Sequence, residues 1–209
     1  MYSALWRRAG LSLKEHTMTR TTDFGPIEPA FLRRHSPRAM SGMRLPRAEL
    51  MRLFEAARWA PSSSNGQPWR FVLAEAGGAG FTSVLNSLAP FNQPWCARAS
   101  AFVVVCTEKN RTNPDGSVVP RRLGAFDAGA AWMSLALQGH AMGLVVHGME
   151  GFDHVGLATT LNVPAELDVL VVVAIGLPGD PTLLHEKQLA GEQPNGRRAT
   201  SESVVFDRF

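Results

Sequence analysis

Cysteine and tyrosine are nearly missing from this 209-residue chain, which holds Cys96, Cys106 and the single tyrosine Tyr2. Two cysteines in apolar settings exclude a disulfide scaffold or a Cys-rich metal site and suit a reducing cytosol. Charge is also scarce, at 19% of residues against a typical ~25%, with too many apolar residues for disorder. The low charge content suggests that part of the surface is covered by a partner subunit. No apolar run approaches the ~20 residues that a membrane-spanning helix needs. The net charge of +3 is small and scattered, so nucleic acid is not an expected partner. A few placed arginines awaiting an anionic small molecule suit it better.

Several catalytic signatures are absent too. There is no G-x-S-x-G elbow, no P-loop and no G-x-G-x-x-G turn after a strand. His16, His35, His140, His147, His154 and His185 show no H-x-x-x-H or H-E-x-x-H spacing, so no metal site is expected. His140, on an apolar helix, reads as a hydrogen-bonded core residue. No motif pairs two carboxylates as glycoside hydrolysis would need.

What is present is one domain of alternating helices and strands around one sheet. Residues 1–22 read as an N-terminal extension, with Met18 a natural start and residues 1–17 dispensable; 23–209 form the domain. A helix opens at Pro46, a residue suited to the first helical position. Leu50, Leu53, Phe54 and Ala57 give it one apolar stripe, and Pro61 stops it. Residues 62–68 (SSSNGQP) must be a loop. Arg70–Ala74 reads as a strand, Phe81–Leu88 as a helix and Ala101–Cys106 as a buried strand. Residues 109–121 form a polar loop, and Asp127 is expected to cap an apolar helix over Ala128–Met142. Strand Leu144–His147, helix Phe152–Leu161 and the buried strand Leu167–Ile175 follow. The chain beyond Pro178 has few apolar side chains, so it dangles or packs outside its own core. Its closing Ser203–Phe206 has strand composition suited to a sheet edge, including one on a second subunit.

Two arginine clusters lie at opposite ends of the chain, Arg33-Arg34-His35-Ser36-Pro37-Arg38 and Arg197-Arg198. Each alone reads as solvated surface or as a binding feature. Together they could clamp a phosphate, because guanidinium groups offer two parallel donors.

The run R-R-H-S-P-R (33–38), then A-R-W-A-P-S-S-S-N-G-Q-P-W-R-F (57–71), resembles the flavin-dependent nitroreductase family. So do F-N-Q-P-W (91–95), D-A-G-A-A (127–131), G-L-V-V-H-G-M-E-G-F-D (143–153), A-I-G-L-P-G-D (174–180) and R-R-A-T-S-E-S-V-V-F-D-R-F (197–209), in the family's order. The similarity spans residues 31 to 209. It implies an α+β three-layer fold, a mixed central sheet flanked by helices, and a homodimer whose subunits exchange tails over two FMN sites. It also implies that Arg34, His35, Ser36 and Arg38 line the flavin. Arg34 with Arg197, and Arg198 nearby, would hold the phosphate, and Arg38 would lie at the pyrimidine edge. Pro61, Ser62, Ser63 and Asn65 would come from the other subunit, although Asn65 and Gln67 equally suit a plain turn and Trp69 a core position. Backbone N–H groups of Glu150 and Gly151 would face the reactive N5, and Asn92 would meet the ring edge.

The activity so implied is hydride transfer from NADPH or NADH through FMN to a small electron acceptor such as a nitroaromatic or quinone, in a ping-pong cycle. The cofactor carries the chemistry, and no catalytic side chain is required. A non-catalytic FMN-binding dimer, or an oxygen-dependent enzyme of the flavin-destructase type, are the alternatives. Some relatives place a lysine near the F-N segment; Pro94, Trp95 and Cys96 stand there instead, which leaves Arg38 as the main charge at that edge. With Tyr2 outside the matched region, the Glu-Tyr-Lys lid of iodotyrosine dehalogenases finds no support.

Overall fold

The structure, a computed structural model, describes residues 20–208; the expectation for residues 1–17 lies outside them. Apolar alternation is lost on the central strand because both of its faces are covered. Strand β2 (Ala101–Glu108) buries all but its last residue, sending Phe102, Val104 and Cys106 into one apolar cluster and Ala101, Val103 and Val105 into another. It pairs with β1 (Trp69–Glu75) on one side and β6 (Leu167–Gly176) on the other, and β5 (Val145–Met149) flanks β6. The first cluster also takes Phe81 and Val84 of α3 (Ala79–Ser87), Trp95 and Cys96 of α4 (Gln93–Cys96) and Leu157 of α6 (His154–Thr160). The second takes Leu50 and Leu53 of α2 (Arg47–Ala57) with Ala131 and Leu135 of α5 (Gly124–Ala141). The result is three layers, helix on sheet on helix. Among the described residues no helix is long and apolar enough to cross a membrane.

The mixed sheet is corrected: among the described residues every neighbouring strand pair of this sheet is antiparallel. The connections explain it. Glu75 lies opposite Ala101, and Ala76 N donates to Ser100 O at 2.9 Å, so α3 and α4 form an excursion that returns to the end it left. A parallel pair would require arrival at the opposite end.

Several boundaries also move. Pro46 is the N-cap of α2 rather than its first residue. Helix α5 begins at Gly124, so Asp127 is no cap; it sits inside the first turn, 3% exposed, and its carboxylate accepts from Ser63 N at 3.1 Å. The polar loop 109–121 contains a hairpin of β3 (Asn110–Thr112) and β4 (Val118–Pro120). Its turn is built by Pro114-Asp115-Gly116, with Gly116 at φ +84° and Asp115 Oδ1 accepting from Ser117 N at 2.9 Å. Gly139 of α5 is required by close approach: a Cβ there would collide with Val146 Cγ2 on β5.

The tail divides. Its first half packs on its own chain, where the helix α7 (Glu186–Leu189) buries Gln188 and hands the Gln188 amide to Phe91 O at 2.8 Å. The expected strand Ser203–Phe206 is absent; Thr200–Glu202 is a short 3-10 turn, and Phe206 is 86% exposed. Strand pairing needs an edge, and this segment meets neither β1 nor β5 among the described residues. Both cysteines are buried and free, and burial pushes the Cys106 thiol up to about 11 and Cys96 further in the same direction.

Candidate functional site

Helix α1 (Pro29–Arg33) ends at Arg34, whose extended backbone carries the chain across the sheet end. His147 of β5 anchors this crossing: Pro37 O lies 3.0 Å from His147 Nδ1, and a carbonyl only accepts, so that nitrogen carries the proton. Burial is the main reason that the His147 pKa lies below the usual imidazole value, and Arg38 pushes the same way against the bond to Pro37. The next residues are clasped from the tail. Glu192 accepts from Arg38 N at 2.6 Å and Ala39 N at 3.2 Å. Met40 then bridges to Pro178, with Ser41 N donating to Leu177 O at 2.9 Å.

These ties aim Arg38 over the Trp95 ring, 6.0 Å from its centroid, and Trp95 also packs against His147 at 4.8 Å. Trp95 Nε1 approaches Asn92 Oδ1 at 3.4 Å. The loop after β5 joins the same patch, since Ala89 N donates to Gly151 O at 2.8 Å. The Glu150 carboxylate is 89% exposed and lies 3.8 Å from His154 Nε2. Arg38, Met40, Phe91, Trp95, Leu184 and Gln188 line a cavity of about 480 Å³. Arg38 Nε is buried there without a hydrogen-bond partner. Buried donors are normally satisfied, which marks this one as a candidate binding group.

The two arginine clusters do meet. Arg34 Nη1 bonds Ser36 Oγ at 3.3 Å, and burial followed by Arg197 lowers the Arg34 pKa. Arg20 joins them, its pKa lowered by burial, then Arg197 and Arg34. Arg20 links them, donating to Arg34 O at 2.8 Å and to Asn195 O at 2.7 Å, and Arg20, Arg34 and the exposed Arg197 form no ion pair with a carboxylate among the described residues. Such a cluster calls for an anion. His35 stays beside it, its Nδ1 3.2 Å from Arg33 O and its pKa lowered mainly by burial. Arg198 is exposed and forms no hydrogen bond to this group.

The loop Pro61–Gln67 lies elsewhere in this chain. Ser64, Asn65 and Gln67 have φ of +52°, +51° and +44°, a strain of ~1–3 kcal/mol each for residues with side chains. It is held by Asp127 on Ser63 N, by Ser62 Oγ on Gln67 N at 3.0 Å, and by the Gln67 amide on Asn65 Oδ1 at 3.2 Å. Trp69 beyond it is core, as one reading had it. Helix α5 measures the separation. Asp127 holds the loop at one end, while His140 at the other feels His35 and Arg34; thirteen residues of rise place the groups ~20 Å apart. The sequence reading missed Arg20, Trp95, His147 and Glu192 as site builders. Trp95 alone carried a local signal, as an aromatic beside a polar turn; the others depend on contacts across more than 100 residues.

Residues 32–177 match the model of the Nitroreductase family. A solved structure described as an oxidoreductase containing FMN superposes with a TM-score of 0.88 at 35% identity, covering 93% of this chain and 98% of that one. A Bacillus subtilis (strain 168) protein named "Putative NAD(P)H nitroreductase YdgI" is 25% identical over 78% of this chain and 92% of its own. A Desulfovibrio desulfuricans protein solved in complex with FMN shares the fold, with a TM-score of 0.69 at 21% identity over 88% of this chain and 98% of that one.

Proposed function

The chain belongs to the Nitroreductase family, and from that premise and the geometry above we propose that it is an FMN-dependent oxidoreductase. Its donor is NADPH or NADH, and its acceptor is a nitroaromatic, quinone or similar small molecule in a ping-pong cycle. When bound, FMN would supply the hydride-transfer chemistry between the nicotinamide and the acceptor. The residues present suit the cofactor. Arg34 and Arg197 would hold the phosphate, with His35 and Ser36 beside them and Arg198 on the solvent side. Arg38, whose Nε lacks a partner, would meet the pyrimidine edge with Asn92. Positive charge fixed there would stabilise the negative charge of a reduced flavin. Glu150 and Gly151 would offer backbone N–H groups, while the exposed Glu150 carboxylate sits 3.8 Å from His154 Nε2.

Pro61, Ser62, Ser63 and Asn65 stand ~20 Å away along α5, so in this reading a second copy of the chain supplies them and the enzyme is a homodimer. Exposed apolar side chains support that arrangement, with Phe126 76%, Trp59 72% and Phe206 86% exposed.

The observation that carries the proposal is the hydrogen-bonded chain through Arg20 and Asn195 that brings Arg34 and Arg197 together from opposite ends of the sequence. Its test is Arg34→Ala, read as the FMN dissociation constant beside that for riboflavin, which lacks the phosphate. FMN binding should weaken about 10- to 100-fold, or ~1.4–2.8 kcal/mol, with riboflavin unchanged. Purified protein that stays colourless and takes up no FMN overturns the reading, as does wild-type FMN affinity in the variant. Flavin absorbance that resists bleaching by both NADPH and NADH excludes turnover.

A further inference from the structure

We propose that Arg20 is the positioning residue that joins the two halves of the anion site: its guanidinium ties the main chain of Arg34 to the Asn195–Arg197 segment of the same chain. The proposal rests on the reading of Arg34 and Arg197 as a phosphate clamp. Arg20 lies in the segment that the sequence marks as an extension, yet it donates in two directions. Nη1 reaches Arg34 O at 2.8 Å and Leu32 O at 2.9 Å, the free carbonyls at the end of α1. Nε reaches Asn195 O at 2.7 Å, and Nη2 reaches Asn195 Oδ1 at 3.2 Å.

Asn195 Oδ1 also accepts from Arg197 Nη1 at 2.8 Å. The amide oxygen is therefore shared, and Arg20 sets the guanidinium of Arg197 through it. A second tie runs parallel, where Asp23 Oδ2 accepts from Thr200 N at 2.6 Å. Little else holds residues 193–208, which are mostly exposed. Without the clasp, Arg197 would sample the volume of a loose tail and lose its fixed distance to Arg34.

The arrangement is also electrostatically unfavourable until an anion arrives, since Arg20, Arg34 and Arg197 repel one another. A lysine at position 20 would keep the charge but could not span both sets of acceptors, because its donors radiate from one nitrogen. Charge and position are thereby separable. The clasp also assigns both clamp arginines to one chain, so subunits meeting elsewhere would leave each clamp intact.

The test uses the full-length chain and measures dissociation constants for FMN and for riboflavin in the wild type and in Arg20→Ala, Arg20→Lys, Asn195→Ala and Arg34→Ala. The expected result is an FMN-to-riboflavin preference that falls about tenfold in Arg20→Ala and Asn195→Ala, with riboflavin affinity retained. Arg20→Lys should fail to restore it, and Arg20→Ala combined with Asn195→Ala should lose no more than either alone. Retained riboflavin binding reports a folded site, so a general loss of stability would not mimic the result. A preference kept in Arg20→Ala but lost in Arg34→Ala overturns the clasp and leaves the clamp. Full rescue by Arg20→Lys also overturns it, since charge alone would then suffice. A preference unchanged in Arg34→Ala overturns the clamp and the clasp with it.

Discussion

Gly139→Ala sets two effects of similar size against each other. Alanine in a helix interior is favoured over glycine by ~1 kcal/mol. Here, however, the added methyl would enter the space of Val146 Cγ2, with Leu53 Cδ2 only 3.6 Å away on the other side. Val146 is 4% exposed and Leu53 fully buried, and β5 is held in register by β6. Neither wall has room to retreat, so α5 must lift off the sheet. Overpacking of this kind costs ~1–3 kcal/mol, and the net destabilisation should be about 1 kcal/mol. For a chain of this size, that lowers Tm by ~2–4 °C. The decisive measurement is a double-mutant cycle by thermal or denaturant unfolding. Val146→Ala alone should lose ~1–3 kcal/mol by leaving a cavity. Added to it, Gly139→Ala fills that cavity and recovers its helical advantage, so the double variant should be at least as stable as Val146→Ala. Additivity within ~0.5 kcal/mol would show that the helix and strand do not touch there, and would refute the packing argument.

The remaining predictions concern charge and the strained loop. His35, His140 and His147 all have folded pKa values below that of free imidazole, chiefly through burial. The unfolded chain then binds more protons, so their contribution is complete above pH ~6.5 and is lost as pH falls through the folded values. Denaturation midpoints should fall from pH 7 to pH 5, with a shallower slope in His147→Gln; a midpoint that rises on acidification contradicts the assignment. Asp127→Ala removes the acceptor for Ser63 N, a charge-assisted bond worth ~1.5–3 kcal/mol, partly offset by relief of carboxylate burial. Limited proteolysis between residues 62 and 67 should speed up several-fold, and an unchanged rate would mean that the loop holds itself.

Much of the architecture follows from local pattern. The stripe Leu50, Leu53, Phe54 and Ala57 places α2 because helical period survives wherever one face is buried. The continuous apolar runs of β2 and β6 announce strands covered on both faces, although the run alone leaves their direction open. Direction was decided by where each connection returns the chain, α3 and α4 for β2 and the later helices for β6, a property of the whole path. Asp127 shows the limit within one residue. Its type and place beside an apolar run suit a cap, but the helix starts earlier, at Gly124, where glycine fits against Thr107 Oγ1 and Glu108 O. The carboxylate was then left to hold the loop.

The arginines were legible as candidates from their residue type and from the resemblance. What holds them together was not, since it depends on Arg20, Asn195 and Glu192, each bonded to a residue more than 150 positions away. By itself the sequence determined most elements through local pattern, while the layers and the inventory of groups able to bind an anionic cofactor came through its resemblance to a known family. Only the tertiary structure decided which of those groups share one place. Hydrogen bonds between distant segments leave no period in the chain, and they form only after the sheet has brought its ends together.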